Sequence, residues 1–237
     1  MTTTDLEVQT SEISLSTKKV GFWSAVLSTI FSLAYVIGQL AEWQGLLGSA
    51  GGPTSLSTPL GLVVLLVPSL LLGSSFLVLV ASIHQLAPED RKVWSLSAVA
   101  FATAYAALTG TVYFVQLSFV APRLARGQIE GMEMFLFVPF DSFFYSVDIL
   151  GYSFMSVATL LAGRVFLGSG TSRVVRWLLT ANGMLLPFIA LQIYYQPLIW
   201  CASLWAITFP GATWALAILF RRAVPLPNRT LGSALRS

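Results

Sequence analysis

Residues 140–163 read FDSFFYSVDILGYSFMSVATLLAG. A run of about 20 mainly apolar residues is enough to cross a ~30 Å hydrocarbon core as a helix, and this one carries a carboxylate, Asp148, inside it. A charge in hydrocarbon costs at least about 2.5 kcal/mol and marks a functional or packing site. The stretch predicts a membrane-spanning helix organised around a buried acid, with Asp141 or Ser142 as its N-cap. The fold then depends on how many similar stretches the chain holds.

Of 237 residues, 56% are hydrophobic and 10% charged, far below the roughly 25% charge of soluble domains, and the mean hydropathy is +0.78. Six segments are long enough to span, near 20–41, 60–83, 93–120, 142–163, 177–193 and 198–220. The expected fold class is therefore all-α, a polytopic membrane protein built as a bundle of six transmembrane helices over residues 20–222. A polar tail covers 1–19, expected to be disordered, and a second tail covers 223–237. Between the third and fourth spans, residues 121–140 carry Arg123, Arg126, Glu130 and Glu133 before a burst of aromatics, which reads as an interfacial or re-entrant amphipathic segment. Pro88 followed by Glu89 and Asp90 suits the start of the third helix. Pro68, Pro187 and Pro210 fall near mid-span, where helices can break.

Sorting the cations by side orients the bundle. With the N-terminus in the cytoplasm, one side holds Lys18, Lys19, Arg91, Lys92, Arg164, Arg173, Arg176, Arg221, Arg222, Arg229 and Arg236, and the other only Arg123 and Arg126. This positive-inside bias predicts that both termini are cytoplasmic, in a bacterial inner membrane. The basic face, with five acids (Asp5, Glu7, Glu12, Glu89 and Asp90) against eleven bases, should attract anionic lipid headgroups. Its bases are spread over separate segments, so no nucleic-acid partner is expected; a homo-oligomer is possible. Asn228-Arg229-Thr230 matches a glycosylation acceptor but falls on the cytoplasmic side, where that chemistry does not occur.

Catalytic chemistry has little to work with. One histidine, His84, excludes His clusters and HExxH metal sites, so no metal or other cofactor is expected. Cys201 has no basic neighbour to activate it and reads as a buried, inert thiol. The 168–170 Gly-Ser-Gly element lacks the spacing of a phosphate loop. Asp148 has no second intramembrane aspartate to pair with, and no enzyme is expected.

Polar residues instead recur at helical spacing. Ser28, Ser32, Tyr35, Gln39 and Glu42 share a face of the first span, Tyr105, Thr109, Tyr113 and Gln116 a face of the third, and Asp148, Tyr152, Ser156, Thr159 and Gly163 a face of the fourth. Lipid offers these groups no partners, so each stripe must face protein or water. In the orientation above, Gln39, Glu42, Tyr113, Gln116, Asp148, Gln192, Tyr195 and Gln196 all fall in the outer half of the bilayer. The candidate ligand-binding set is Asp148, Tyr152, Tyr113, Gln116, Gln39, Glu42, Tyr35 and Gln192, lining a polar pocket open to the outside. The competing reading is that hydroxyls merely join helices, as the small-residue pairs Ala100/Ala104, Ala106/Gly110 and Gly211/Ala215 also suggest.

Asp148-Ile-Leu-Gly151-Tyr152, followed by Met155-Ser156, a basic turn and two last spans ending in Arg221-Arg222, resembles a group of uncharacterised bacterial six-span integral membrane proteins. The resemblance covers the third to sixth spans and implies the fold and a bacterial membrane location, with no assigned activity. Members tend to carry an acidic pair here and a charged turn between the last spans; this chain has Val147 before Asp148 and an uncharged Tyr194-Tyr195-Gln196-Pro197 turn.

Three functional readings follow. The first is a multispan protein that binds, senses or transports a small molecule at an outward polar pocket around Asp148. The second is a structural or interaction subunit, and the third an integral membrane enzyme whose nucleophile and base cannot be assembled. Asp148 is expected to face the bundle interior, within reach of Arg123, Arg126, Tyr113, Gln116 or Tyr152. Asp148→Leu would then leave Tyr and Gln donors unsatisfied and cost about 1–3 kcal/mol.

Overall fold

The computed structural model describes residues 14–49, 55–137, 140 and 142–223. The two expected tails, apart from 14–19 and 223, lie outside the described residues, as do Asp141 and the glycosylation-like triplet. Six helical spans are present: α1 Leu15–Trp43, α2 Pro59–Leu86, α3 Glu89–Leu124, α4 Phe143–Gly163, α5 Thr171–Leu191 and α6 Gln196–Arg222. All six are long and apolar enough to cross a membrane, and the chain is an all-α six-helix bundle of a multi-pass membrane protein.

Side-chain placement shows why lipid is the solvent. On α1, Trp23, Ile30 and Ile37 are exposed while Ser24, Ser28 and Ser32 are buried, the reverse of a water-soluble amphipathic helix. Large apolar groups cover the outside of every span, among them Val78, Phe114, Leu150, Trp177 and Ile207, because hydrocarbon accepts them and rejects hydroxyls and amides.

Each span packs on the next, and α6 returns to α1, so the six helices close into a ring. Three contacts mark one end of that ring as basic. The Lys18 ammonium donates to the Ala223 carbonyl at 2.7 Å, Arg91 to the Arg164 carbonyl at 2.5 Å, and Arg222 to Thr171 at 3.4 Å. At the opposite end Trp43 meets Trp200 at 5.8 Å between centroids, and Tyr194 and Tyr195 are exposed, as an interfacial aromatic belt requires.

Glycines set the closest crossings. A Cβ on Gly183 of α5 would stand 2.6 Å from Leu160 Cβ and 2.8 Å from the Ser156 carbonyl of α4, and one on Gly151 of α4 would stand 2.5 Å from the Thr109 methyl of α3. Without a side chain there the backbones approach, and dispersion contacts replace the hydrophobic effect that lipid removes. Of the small-residue pairs expected to act this way, Ala106 does face Gly73 of α2, where an added Cβ would stand 3.6 Å from the Ala106 Cα, whereas Ala100 is exposed.

Several boundaries differ from the sequence reading. Helix α1 begins at Leu15, capped by Ser14, whose hydroxyl accepts from Thr17 N–H, so Lys18 and Lys19 lie inside it. Helix α3 does not stop at 120. Pro122 has no N–H and its ring crowds the Ser118 carbonyl; the chain widens into a π turn over Gln116–Val120 and continues through Ala121–Leu124. Among its described residues the connection after it holds a 3₁₀ turn at Glu133–Phe135 and no amphipathic helix, with Met132 and Leu136 buried against α2 and α3. In α5 the helix breaks after Gly183 and restarts at Leu186, so Pro187 opens a new helical piece; Pro68 and Pro210 stay inside continuous helices. Cys201, expected to be buried, is exposed on the bundle surface.

Candidate functional site

The middle of the ring is closed by aromatic side chains. Phe76 of α2 meets Tyr105 of α3 edge-on at 5.8 Å, Tyr105 meets Tyr152 of α4 at 5.7 Å, and Tyr152 meets Trp205 of α6 at 5.9 Å. Trp205 stacks on Phe209 at 5.2 Å, and Phe209 returns to Phe76 at 5.4 Å. The circuit spans four helices, and Tyr35 of α1 joins it on Trp205 at 5.9 Å. Edge-to-face pairs of this kind contribute roughly 0.5–1.5 kcal/mol each beyond burial. They lock the central cross-section.

Asp148 lies toward the end opposite the basic one. Ser142 caps α4, its hydroxyl accepting from Tyr145 N–H at 3.1 Å, and six residues at about 1.5 Å each put Asp148 about 9 Å below that cap. The residue is 5% exposed. Five tyrosines lie within its electrostatic reach: Tyr35, Tyr105, Tyr113, Tyr145 and Tyr152, from α1, α3 and α4. Tyr113 sits beside the carboxylate and donates its proton to the Tyr152 hydroxyl at 3.1 Å. One carboxylate oxygen, Oδ1, accepts no hydrogen bond from the described residues. The Tyr105 hydroxyl and Gln116 Oε1 are buried in the same condition.

The two arginines that might have paired with Asp148 do not. Arg123 lies over the Phe119 ring at 3.6 Å and donates to the Phe119 carbonyl; Arg126 donates to Gln128. Among the described residues the ion pairs are Arg91 with Asp90 and Lys92 with Glu89, both at the basic end.

Glu42, the other acid of the candidate set, is buried but answered. The Tyr35 hydroxyl donates to Gln39 Oε1 at 3.3 Å and Gln39 Nε2 to Glu42 Oε2 at 3.3 Å. Its other oxygen lies 3.1 Å from where a Cβ on Gly61 would stand, in the first turn of α2, and the positive end of a helix dipole suits a carboxylate. Gln192 accepts from the Tyr145 hydroxyl at 3.3 Å. Gln116 donates its amide to the Phe135 carbonyl and so ties the α3–α4 connection down onto α3. Tyr195, in the turn before α6, and Gln196, the first residue of α6, are exposed and stand apart from the group.

The eight candidates thus face inward, but they do not line an open vestibule. Phe137 of the connection packs on Tyr113 at 6.4 Å and on Tyr145 at 6.0 Å, and Phe135 packs on Phe119 and Phe144. Aromatic side chains cover this polar group from above as well as from below. Two members escaped sequence reasoning, Tyr145 and the packing role of Tyr105. A stripe search through Asp148 at intervals of three would have reached Tyr145.

No family model, curated protein or solved structure matches this chain.

Toward the basic end the polar groups behave differently. Ser28 of α1 donates to Ser75 of α2 at 3.1 Å, and Thr29 of α1 shares a hydrogen bond with Thr213 of α6 at 2.8 Å. Asn182 of α5 donates to Thr159 of α4 at 3.2 Å and accepts from Thr208 of α6 at 3.0 Å. His84 pairs with Ser95 at 2.8 Å, joining α2 to α3. These bonds are helix contacts.

Proposed function

We propose that the protein is a small-molecule-binding membrane protein whose ligand site is the chamber around Asp148, acting in sensing or transport and not in catalysis. The observation that carries this reading is the Asp148 carboxyl, buried inside a ring of helices with no cationic partner and with Oδ1 accepting no hydrogen bond among the described residues. A charge left unanswered in hydrocarbon is costly, and groups held against stability are characteristic of function. The basic end is taken as cytoplasmic in a bacterial inner membrane, where its cations meet anionic headgroups, and the Asp148 group then lies toward the outer side.

A second reading, a structural or interaction subunit that associates with another copy or another membrane protein, is favoured by the Thr159–Asn182–Thr208 and Ser28–Ser75 bonds, which use polar groups for packing alone. The two separate in one experiment. The purified protein and Asp148→Asn are screened for thermal stabilisation by a panel of small metabolites. A ligand-binding protein shows stabilisation by a compound that the variant loses while its own elution volume and unfolding midpoint are retained. Stabilisation by nothing in the panel, with a lower midpoint for the variant, favours the structural subunit.

A further inference from the structure

At the basic end, away from Asp148, the geometry points to a binding site for one anionic phospholipid in the groove between α1 and α2. The groove has a volume of about 540 Å³, within the range of small-molecule sites. Trp23, Leu27 and Phe31 of α1 line it from one side and Leu71 and Val78 of α2 from the other; the short side chains of Ser24, Ser74 and Ser75 complete the lining and leave the room between them. The Ser28–Ser75 hydrogen bond at 3.1 Å holds the two helices in this register. Trp23, Leu27, Leu71 and Val78 are exposed, so the groove opens sideways into lipid.

Its length and its charge select the occupant. Lys19 belongs to the lining and follows Lys18, whose bond to the Ala223 carbonyl marks the end of α6. The twelve residues from Lys19 to Phe31, at about 1.5 Å each, make about 18 Å, and one leaflet of a ~30 Å core is about 15 Å. The groove is therefore one leaflet deep, with Lys19 at its mouth and Phe31 and Leu71 at its deep end. A partner helix would cross both leaflets, whereas an acyl chain ends at mid-bilayer. The charge is also unanswered. Lys18, Arg91, Lys92 and Arg222 each have a carbonyl, carboxylate or hydroxyl partner, while Lys19 is exposed and makes no hydrogen bond or ion pair with the described residues. Its ammonium is free to give a phosphate oxygen a charge-assisted bond. Trp23, one turn deeper, is of the residue type that settles at the headgroup boundary. Attraction to the basic face as a whole gathers anionic headgroups; the groove adds a seat that takes headgroup and chain together.

Trp23 serves as the reporter, because bromine on an acyl chain quenches a tryptophan that it touches. The full chain and Trp23→Phe are reconstituted in phosphatidylcholine vesicles with rising mole fractions of brominated phosphatidylglycerol or brominated phosphatidylcholine, and the Trp23 signal is the difference between the two proteins. The expected result is that the phosphatidylglycerol quenches Trp23 at a mole fraction several-fold lower than the phosphatidylcholine does. Lys19→Gln should remove that preference. Ser74→Phe, a ring placed in the groove from an exposed position, should remove it with Lys19 still present, and Lys92→Gln should leave it unchanged. Equal quenching by the two lipids would make the groove a nonselective boundary, and equal losses in Lys19→Gln and Lys92→Gln would make the preference a property of the whole basic face; either result would overturn the inference. So would a Trp23 that neither lipid quenches, the outcome if a second copy or the acidic stretch from Asp5 to Glu12 fills the groove. Displacement of the brominated lipid by oleate but not by unlabelled phosphatidylglycerol would assign the groove to a fatty acid and overturn it as well.

Discussion

The two halves of the bundle use the same residue types to opposite ends. Toward the basic end, Ser28, Thr29, Thr159, Asn182 and Thr208 find one another across helix boundaries, and the cost of placing a hydroxyl or amide in the membrane is returned as helix association, about 0.6–2 kcal/mol per bond. Toward the other end, Tyr105, Gln116 and Asp148 each keep an oxygen without a hydrogen-bond partner among the described residues, although seven other polar side chains of the same group lie around them. Packing polar groups together is therefore not enough to satisfy them.

The largest expected effect tests whether these halves sit on opposite sides of the membrane. In a chain with Cys201→Ser, Gln128→Cys in the exposed α3–α4 connection should label fully from outside intact cells, and Gly168→Cys at the basic end not at all. The reverse pattern would invert the orientation. Next in size is Gly183→Leu, which drives a side chain into Leu160 and the Ser156 carbonyl; overpacking of this kind costs about 3 kcal/mol, measured as a fall in unfolding midpoint in detergent. Asn182→Leu removes both interhelical bonds of the α4–α5–α6 junction and should cost about 1–2 kcal/mol by the same measurement.

Asp148→Asn sharpens the contrast most, with the smallest magnitude. It keeps the shape and removes a buried charge that has no cationic partner, and replacing such a charge is neutral or stabilising, here by up to about 1 kcal/mol. With Asp148→Asn expected to spare folding, the loss of about 1–3 kcal/mol expected from sequence concerned Asp148→Leu. That expectation assumed the neighbouring donors depend on the carboxylate, whereas Tyr145, Tyr35 and Gln116 donate elsewhere. A variant clearly less stable than the parent would place Asp148 with the structural polar groups.

Much of the architecture is legible in the amino-acid order because lipid imposes rules that a single chain must obey locally. A span needs about 20 apolar residues, its backbone must bond within itself, and its polar side chains must share a face; the count of six spans and the three stripes follow. Boundaries were less legible where proline chemistry intervened, as at Pro122, where the helix widens and continues, and before Pro187, where it breaks. What only the tertiary structure decided is the closing of the ring of α6 on α1, the aromatic circuit, the roof of Phe137, and above all the difference between two buried acids. Glu42 and Asp148 look alike in sequence, each in an apolar span beside tyrosines and amides. Glu42 meets Gln39 and the amino end of α2, while the arginines nearest Asp148 in the chain turn away to Phe119 and Gln128. Which donor meets which acceptor depends on the rotation and depth of each helix against its neighbours, set by close contacts such as Gly151 on Thr109 and Gly183 on Leu160, and no local pattern of residues encodes that register.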